Sequence, residues 1–321
     1  MTAIHLCCGG GGTTLGFEQA GIQGAFAFDL DPVCVESHRL NFGDVPCEVL
    51  DMRDVRGGDL PAAEVITCGI PCEPYSIAGQ RRLEADPRDL SADVARLLGE
   101  IEAARCVFLE NVPLFARSAG AEWIRAALRE AGYGWFEAIF AHADYGVAQK
   151  RKRWHLLASR NGLTLPRPEP TRSEYPGFGT QPWVRFGAIR EVSPSDPHYL
   201  SARAWKGILR RQTRAEARAV EGDFDTCYAK CYIVDDEDLM PTVLSSSYKG
   251  PHRNQATVVY DDGRFRAPTE LEMRRAQGFP DTFRLAGNKR QRYEQIGRAV
   301  PPPFAAAVAR AILAAAGEAA P

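Results

Sequence analysis

The chain opens with a short apolar run, Ala3-Ile4-His5-Leu6-Cys7, that breaks into Cys8-Gly9-Gly10-Gly11-Gly12 and then Thr13-Thr14-Leu15-Gly16-Phe17-Glu18-Gln19-Ala20. That succession constrains the fold more than any other stretch. A strand, a glycine turn and a helix make the first unit of a sheet with helical crossovers. Glycines in the turn let backbone amides approach a ligand that a Cβ would block. Thr13 or Thr14 is expected to cap the helix. Ala25-Phe26-Ala27-Phe28 reads as a second strand ending in Asp29, and Cys47-Glu48-Val49-Leu50 as a third ending in Asp51. Acids at successive strand ends suit a ribose and an adenine amino group; the competing reading is a pair of solvated acids.

A further apolar run, Ala63 to Cys68, leads into Gly69-Ile70-Pro71-Cys72-Glu73-Pro74-Tyr75-Ser76-Ile77-Ala78-Gly79. The run reads as a buried parallel strand, and the loop after it presents one cysteine. Open α/β enzymes place their chemistry on loops at the carboxyl ends of strands, and thiolate is the strongest side-chain nucleophile near neutral pH. The plain alternative is a small buried cysteine beside a turn. Gln80 to Pro87 is polar and long for a connection, as an active-site loop would be. Leu90 to Ala104 has helical spacing, and Arg105 to Leu109 reads as a strand running into Glu110-Asn111-Val112-Pro113. Glu110 would lie beside Cys72 if the two strands are neighbours. Ala121 to Ala131 reads as a helix and Tyr133 to Ala141 as a strand. In Tyr145 to Trp154, alternate residues Gln149, Arg151 and Arg153 would share one face of an extended segment.

Between Asn161 and Tyr260 the alternation stops and Pro and Gly are frequent, which marks an inserted smaller domain. Ser201 to Val220 is expected to be an Arg-rich helix, either solvated or following phosphates. Pro241 to Gly250 is a polar loop with side chains suited to reading bases. Pro268 to Pro280 reads as a capped helix with its stop, and an Ala-rich helix closes the chain.

Composition narrows the partners. Lys+Arg 39 against Asp+Glu 41 gives a net charge of -2, so any nucleic-acid surface must be local. The nine cysteines form no secreted-type framework, which fits a reducing cytoplasm. Neither Cys68/Cys72 nor Cys227/Cys231 has a matching second pair, so no metal site is expected. No signal peptide or membrane span is expected.

The glycine turn, the Pro-Cys loop, Glu-Asn-Val, the Gln-x-Arg-x-Arg run, Gln277-Gly278-Phe279-Pro280, and Gln295-Ile296-Gly297-Arg298-Ala299-Val300-Pro301-Pro302 occur in one order. In that order they resemble the cytosine-5 DNA methyltransferases, over nearly the whole chain. The resemblance implies an α/β fold: a Rossmann-like S-adenosylmethionine-dependent sheet with a smaller target-recognition domain and a DNA cleft between them. The catalytic domain would comprise residues 1–160, completed by 264–321, with 161–263 as the target-recognition domain.

The resemblance also implies the roles. Cys72, carried on Pro71, adds to C6 of a flipped cytosine, and C5 takes the transferred group. Glu110 partners N3 and the exocyclic amine, Arg153 contacts O2, Arg151 and Gln149 support the site, and Asn111 fixes the loop. Gly9, Gly11, Gly12, Asp29, Leu30, Asp51 and Met52 fall at cofactor positions, with Cys7, Arg298 and Ala299 bordering them. Double-stranded DNA is the expected partner, with no obligate protein partner, in a prokaryotic or phage-type context. RNA modification and a non-catalytic DNA-binding relative are the alternatives.

Several positions depart from the family's usual pattern. His5 and Cys7 replace the usual acid and phenylalanine, Glu73 stands where glutamine is usual, and Arg298 where asparagine is usual. A guanidinium beside a sulfonium is repulsive, whereas it would bind a carboxylate on the transferred group. The matching donor is carboxy-S-adenosylmethionine and the product 5-carboxymethylcytosine. Otherwise Arg298 would face a DNA phosphate, pair with Glu294, or hold the methionine carboxylate of ordinary S-adenosylmethionine.

Overall fold

The computed structural model describes residues 1–75, 83–177, 179–195, 197–204, 206, 230–252, 255–261 and 263–318. Seven strands build the main sheet: β1 (Thr2–Leu6), β2 (Gln23–Asp29), β3 (Cys47–Val49), β4 (Val65–Gly69), β5 (Cys106–Asn111), β6 (Gly134–Ala141) and β7 (Lys152–Ser159). Their order is β3-β2-β1-β4-β5-β7-β6. The first five run parallel, and β7 lies antiparallel between β5 and β6.

The helices are α1 (Gly12–Gln19), α2 (Pro32–Asn41), α3 (Ser91–Glu100), α4 (Ala119–Glu130), α5 (Glu270–Ala276), α6 (Lys289–Arg298) and α7 (Pro302–Ala316). Successive strand residues point to opposite faces, and the sheet is apolar on both. Ile4, Ile66, Val107 and Leu109 meet Val94 and Leu97 of α3 and Ile124 and Leu128 of α4. Ala3, Val65, Cys106 and Phe108 meet Phe17 of α1 and Phe304, Val308 and Ile312 of α7. Burying a side chain of that size contributes about 1.5–3 kcal/mol. The stretch Lys289–Ala316 is long and apolar enough to cross a membrane by composition, but two thirds of its most apolar window is buried. Its second half, α7, packs against the main sheet.

The α1 helix starts differently from the sequence expectation. Its N-cap is Gly11, with φ at 100°, and neither threonine caps it. A side chain at Gly11 would be strained by that φ and would also run into the Phe42 ring. Thr14 instead turns inward to His38. The α5 helix does carry the expected cap, with Thr269 and Glu272 closing a capping box.

The smaller sheets are β8 (Arg172–Ser173) with β9 (Gln181–Pro182), and β10 (Lys230–Val234), β11 (Gln255–Asp261) and β12 (Arg264–Arg266). The expected return to the large domain at residue 264 coincides with β12, which is hydrogen-bonded to β11. Phe186, Val234, Met240 and Val259 share a core with Met273 and Ala276 of α5 and with Tyr293 and Ile296 of α6. Most of the expected Arg-rich helix, Cys227, and residues 76–82 of the loop after Cys72 lie outside the described residues.

Candidate active site

The strand order reverses between β1 and β4, and an open parallel sheet forms its ligand crevice at such a reversal. The glycine turn leaves the carboxyl end of β1, and the Pro-Cys loop leaves the carboxyl end of β4. In the turn, Cys7 and Gly9 have φ of 49° and 55°. The Gly9 amide donates to Asp29 Oδ2 at 2.9 Å, and the Asp31 amide to Oδ1 at 2.9 Å. Burial raises the Asp29 carboxyl, while those two amides and the Arg298 charge pull it down. Asp51 accepts from the Arg53 amide and guanidinium. Leu30 is exposed, whereas the Met52 side chain is buried in the core between sheet and α3.

The Cys72 loop is anchored on both sides. The Ile70 amide donates to Glu110 O at 3.2 Å, and the Tyr75 amide to Cys72 O at 3.1 Å. Tyr75 is buried, donates its hydroxyl to Asp89 Oδ1 at 2.9 Å, and stands edge-on to Phe115. Burial pushes the Cys72 thiol up to about 11, with Glu73 and Glu110 adding to the rise and Arg153 and Arg151 opposing it. The thiol is largely protonated until those charges are rebalanced.

Glu110 reaches this loop through register. Strand β4 pairs with β5 so that Gly69 faces Glu110, and β5 pairs with β7 so that Glu110 faces His155. Arg153, two residues before His155, shares that face. Its Nε lies 3.1 Å from Glu110 Oε1, an ion pair. Oε1 has no aligned hydrogen-bond partner. Burial raises the Glu110 carboxyl, and Arg153 and then Arg151 offset part of the rise. Asn111 accepts from the Val112 amide at 2.7 Å through Oδ1, while its buried Nδ2 has no partner.

The alternating run divides by task. Gln149 bonds Ala276 O, Gln277 Oε1 and the Val243 amide. Arg151 donates to the carbonyls of Val243, Gly297 and Ala299. These two side chains tie the large sheet to the inserted region and to α6, and only Arg153 touches Glu110. Both are also buried, so the exposed cations of this run are Lys150 and Lys152.

Arg298 does not pair with Glu294, which binds Arg290 at 2.8 Å. Its Nε lies 3.0 Å from Glu73 Oε1, and the pair is partly open, with side chains 47% and 28% exposed. Two of the departures noted above are therefore partners. Sequence reading missed this contact because nothing local to either residue announces it. On the neighbouring residue, a Cβ at Gly297 would lie 2.2 Å from the Ser245 amide nitrogen. Only glycine lets the 244–245 backbone rest on α6.

Comparison with known proteins places the chain in a family. The family model of the C-5 cytosine-specific DNA methylases matches residues 1–314. The chain belongs to that family. It is 30% identical over 322 residues to Type II methyltransferase M.NlaX of Neisseria lactamica, covering 97% of this chain and 96% of the relative. It is 29% identical to Type II methyltransferase M.NgoMIV of Neisseria gonorrhoeae, covering 98% and 97%. Among solved structures, the Entamoeba histolytica methyltransferase EhMeth superimposes with a TM-score of 0.75 at 17% identity, covering 98% of each chain. That likeness concerns the fold alone.

Proposed function

We propose that this C-5 methylase acts on cytosine in duplex DNA with Cys72 as nucleophile, and that its donor is of the S-adenosylmethionine type. The observation that carries the reading is Cys72 beside Glu110 at the ends of adjacent parallel strands, with Arg153 on the carboxylate. The target base must leave the stack to reach a side chain there, at a cost of a few kcal/mol.

Cytosine C5 is a poor nucleophile. Cys72 gives up its proton to solvent and its thiolate adds to C6, while protonated Glu110 donates a hydrogen bond at N3 and accepts from the exocyclic amine. Arg153 neutralises the charge growing at O2. C5 then carries the electron pair. When bound, the donor supplies an electrophilic carbon on a sulfonium. Loss of the C5 proton to solvent lets the C6–S bond break, and Cys72 leaves as thiolate. The donor's place is the crevice of Gly9, Gly11, Gly12, Asp29, Leu30 and Asp51. Backbone approach is open at Gly9, where a Cβ would meet nothing within 4 Å, and Asp29 is held by two amides.

DNA containing 5-fluorocytosine tests the reaction, because fluorine cannot leave as the proton does. A covalent complex through Cys72 is expected, and turnover without one overturns the assignment. Duplex DNA against transfer RNA in competition decides the substrate.

The Arg298–Glu73 pair favours a second, finer reading of the donor. In the family's usual pattern both positions are neutral amides. Here a cation reaches the crevice, influences Asp29, and is held by a carboxylate beside the nucleophile. A carboxylate on the transferred carbon would replace Glu73 on the guanidinium, with two hydrogen bonds available. The donor would then be carboxy-S-adenosylmethionine and the product 5-carboxymethylcytosine. A competition between the two donors, read by nucleoside mass spectrometry on wild type and Arg298→Asn, is the test. Wild type is expected to prefer the carboxylated donor and the variant to lose that preference by about tenfold or more. Preference for the ordinary donor in both sinks this finer reading and leaves the cytosine-5 reaction intact.

A further inference from the structure

Beneath the glycine turn lies a cluster that the transfer reaction does not use. Cys8 follows β1, His38 is on α2, and Cys47 opens β3. Their ligand atoms all lie within 4.8 Å of one another. All three are buried, His38 completely. The two sulfurs are 3.8 Å apart. Zinc binds thiolate at about 2.3 Å, and a tetrahedral angle then sets its two sulfurs about 3.8 Å apart.

The histidine is the second, independent sign. Its Nε2 is engaged by Thr14 Oγ1 at 3.0 Å, while its buried Nδ1 has no aligned hydrogen-bond partner, and the ring lies close enough to Cys47 to act on that thiol. Metal-bound histidines commonly show this division: one ring nitrogen faces the ion and the other is held by an oxygen. Thr14, one of the two threonines expected to cap α1, turns inward to this histidine instead. The ring leans on Phe42 at 4.7 Å, and Arg39 donates to the Cys47 carbonyl, so ring and strand are both positioned. Ala27, Val35, Val45 and Phe279 share the apolar cluster around the two sulfurs.

We propose that Cys8, His38 Nδ1 and Cys47 form a binding site for a thiophilic divalent cation, zinc in the first instance, under the cofactor turn. Entry of the ion releases the thiol protons to solvent, so binding strengthens as pH rises. The ion would join β1, α2 and β3 at the place where Cys8 leads into Gly9, whose amide holds Asp29. Three protein ligands leave the fourth position for water or another small donor.

The full chain, prepared metal-free in a non-thiol reductant, is incubated with zinc alone and desalted, and its metal is counted. About one retained equivalent is expected for wild type, and less than a tenth of that for Cys8→Ser and Cys47→Ser. Because either variant could fold poorly, Thr14→Val supplies a milder one. It keeps all three ligands, and its zinc affinity should fall by about 10–100-fold. Cobalt(II) titration of wild type should give thiolate charge-transfer absorption that Cys72→Ser leaves unchanged. Wild type that retains no zinc overturns the site, as does undiminished affinity in Thr14→Val together with full retention in Cys47→Ser. Loss of the cobalt signal in Cys72→Ser would place the binding elsewhere and also overturn it.

Discussion

The two sides of the crevice are built in opposite ways. On the target side, Glu110 and Arg153 are fixed by strand register, and Gln149 and Arg151 are buried in bonds to three other segments. On the donor side, Arg298 and Glu73 meet in a partly exposed ion pair. A buried network resists change because breaking it leaves polar groups without partners. An exposed pair is exchanged at little cost. Substitution should therefore disturb the Glu110–Arg153 side more than the Arg298–Glu73 side.

Removing the nucleophile should break the target side completely. Cys72→Ala is expected to lower product formation by about four orders of magnitude or more, measured by transfer of labelled donor carbon, while duplex binding remains. Substantial turnover by this variant would end the Cys72 assignment. The rigid scaffold is tested next by Arg151→Ala. Three carbonyls lose their donor, and unfolding should become easier by about 3 kcal/mol or more in denaturant titrations. The neighbouring Arg153→Ala should instead lower turnover about a hundredfold with a much smaller stability change.

The pH response of the thiol sharpens the contrast further. Cys72 is raised to about 11, chiefly by burial, so its thiolate fraction climbs about tenfold per unit between pH 7 and 10. Alkylation of Cys72, followed by peptide mass spectrometry, should climb in step. Glu110→Gln removes a carboxyl that raises the thiol whenever it is ionised, so alkylation should speed up at pH values where Glu110 carries its charge. A flat profile would mean that the thiol is already ionised.

The smallest effect belongs to the donor side. A double-mutant cycle of Arg298→Asn and Glu73→Gln should give a stability coupling below about 1 kcal/mol, since the pair is partly solvated. A coupling of several kcal/mol would make the two sides alike.

What the sequence revealed follows from where its signals are local. Apolar runs ending in acid, glycine or cysteine marked β1, β2, β4 and β5, because buried parallel strands need continuous apolar residues, whereas the edge strand β3 buries only Cys47. Register then brought Glu110 to Cys72, as neighbouring strands required. Alternation along 149–153 could not separate Arg151 from Arg153, because period alone gives a face and says nothing of the partners across it. The α1 cap misled for a different reason: a left-handed Gly11 turns the chain more sharply than a threonine cap would. Pairs that act at long range, such as Glu73 with Arg298, or Cys8 with His38 and Cys47, leave no spacing signature.

Gly297 ties the two sides together. It lets the 244–245 backbone lie directly on α6, and the next residue of that helix is Arg298. A nucleic acid that shifts this loop is expected to act on Arg298 through the adjoining Gly297 backbone contact. Such linkage is reciprocal: any factor by which DNA alters donor affinity is the factor by which donor alters DNA affinity. The order in which the two substrates arrive would then change the path to the ternary complex but leave its free energy the same.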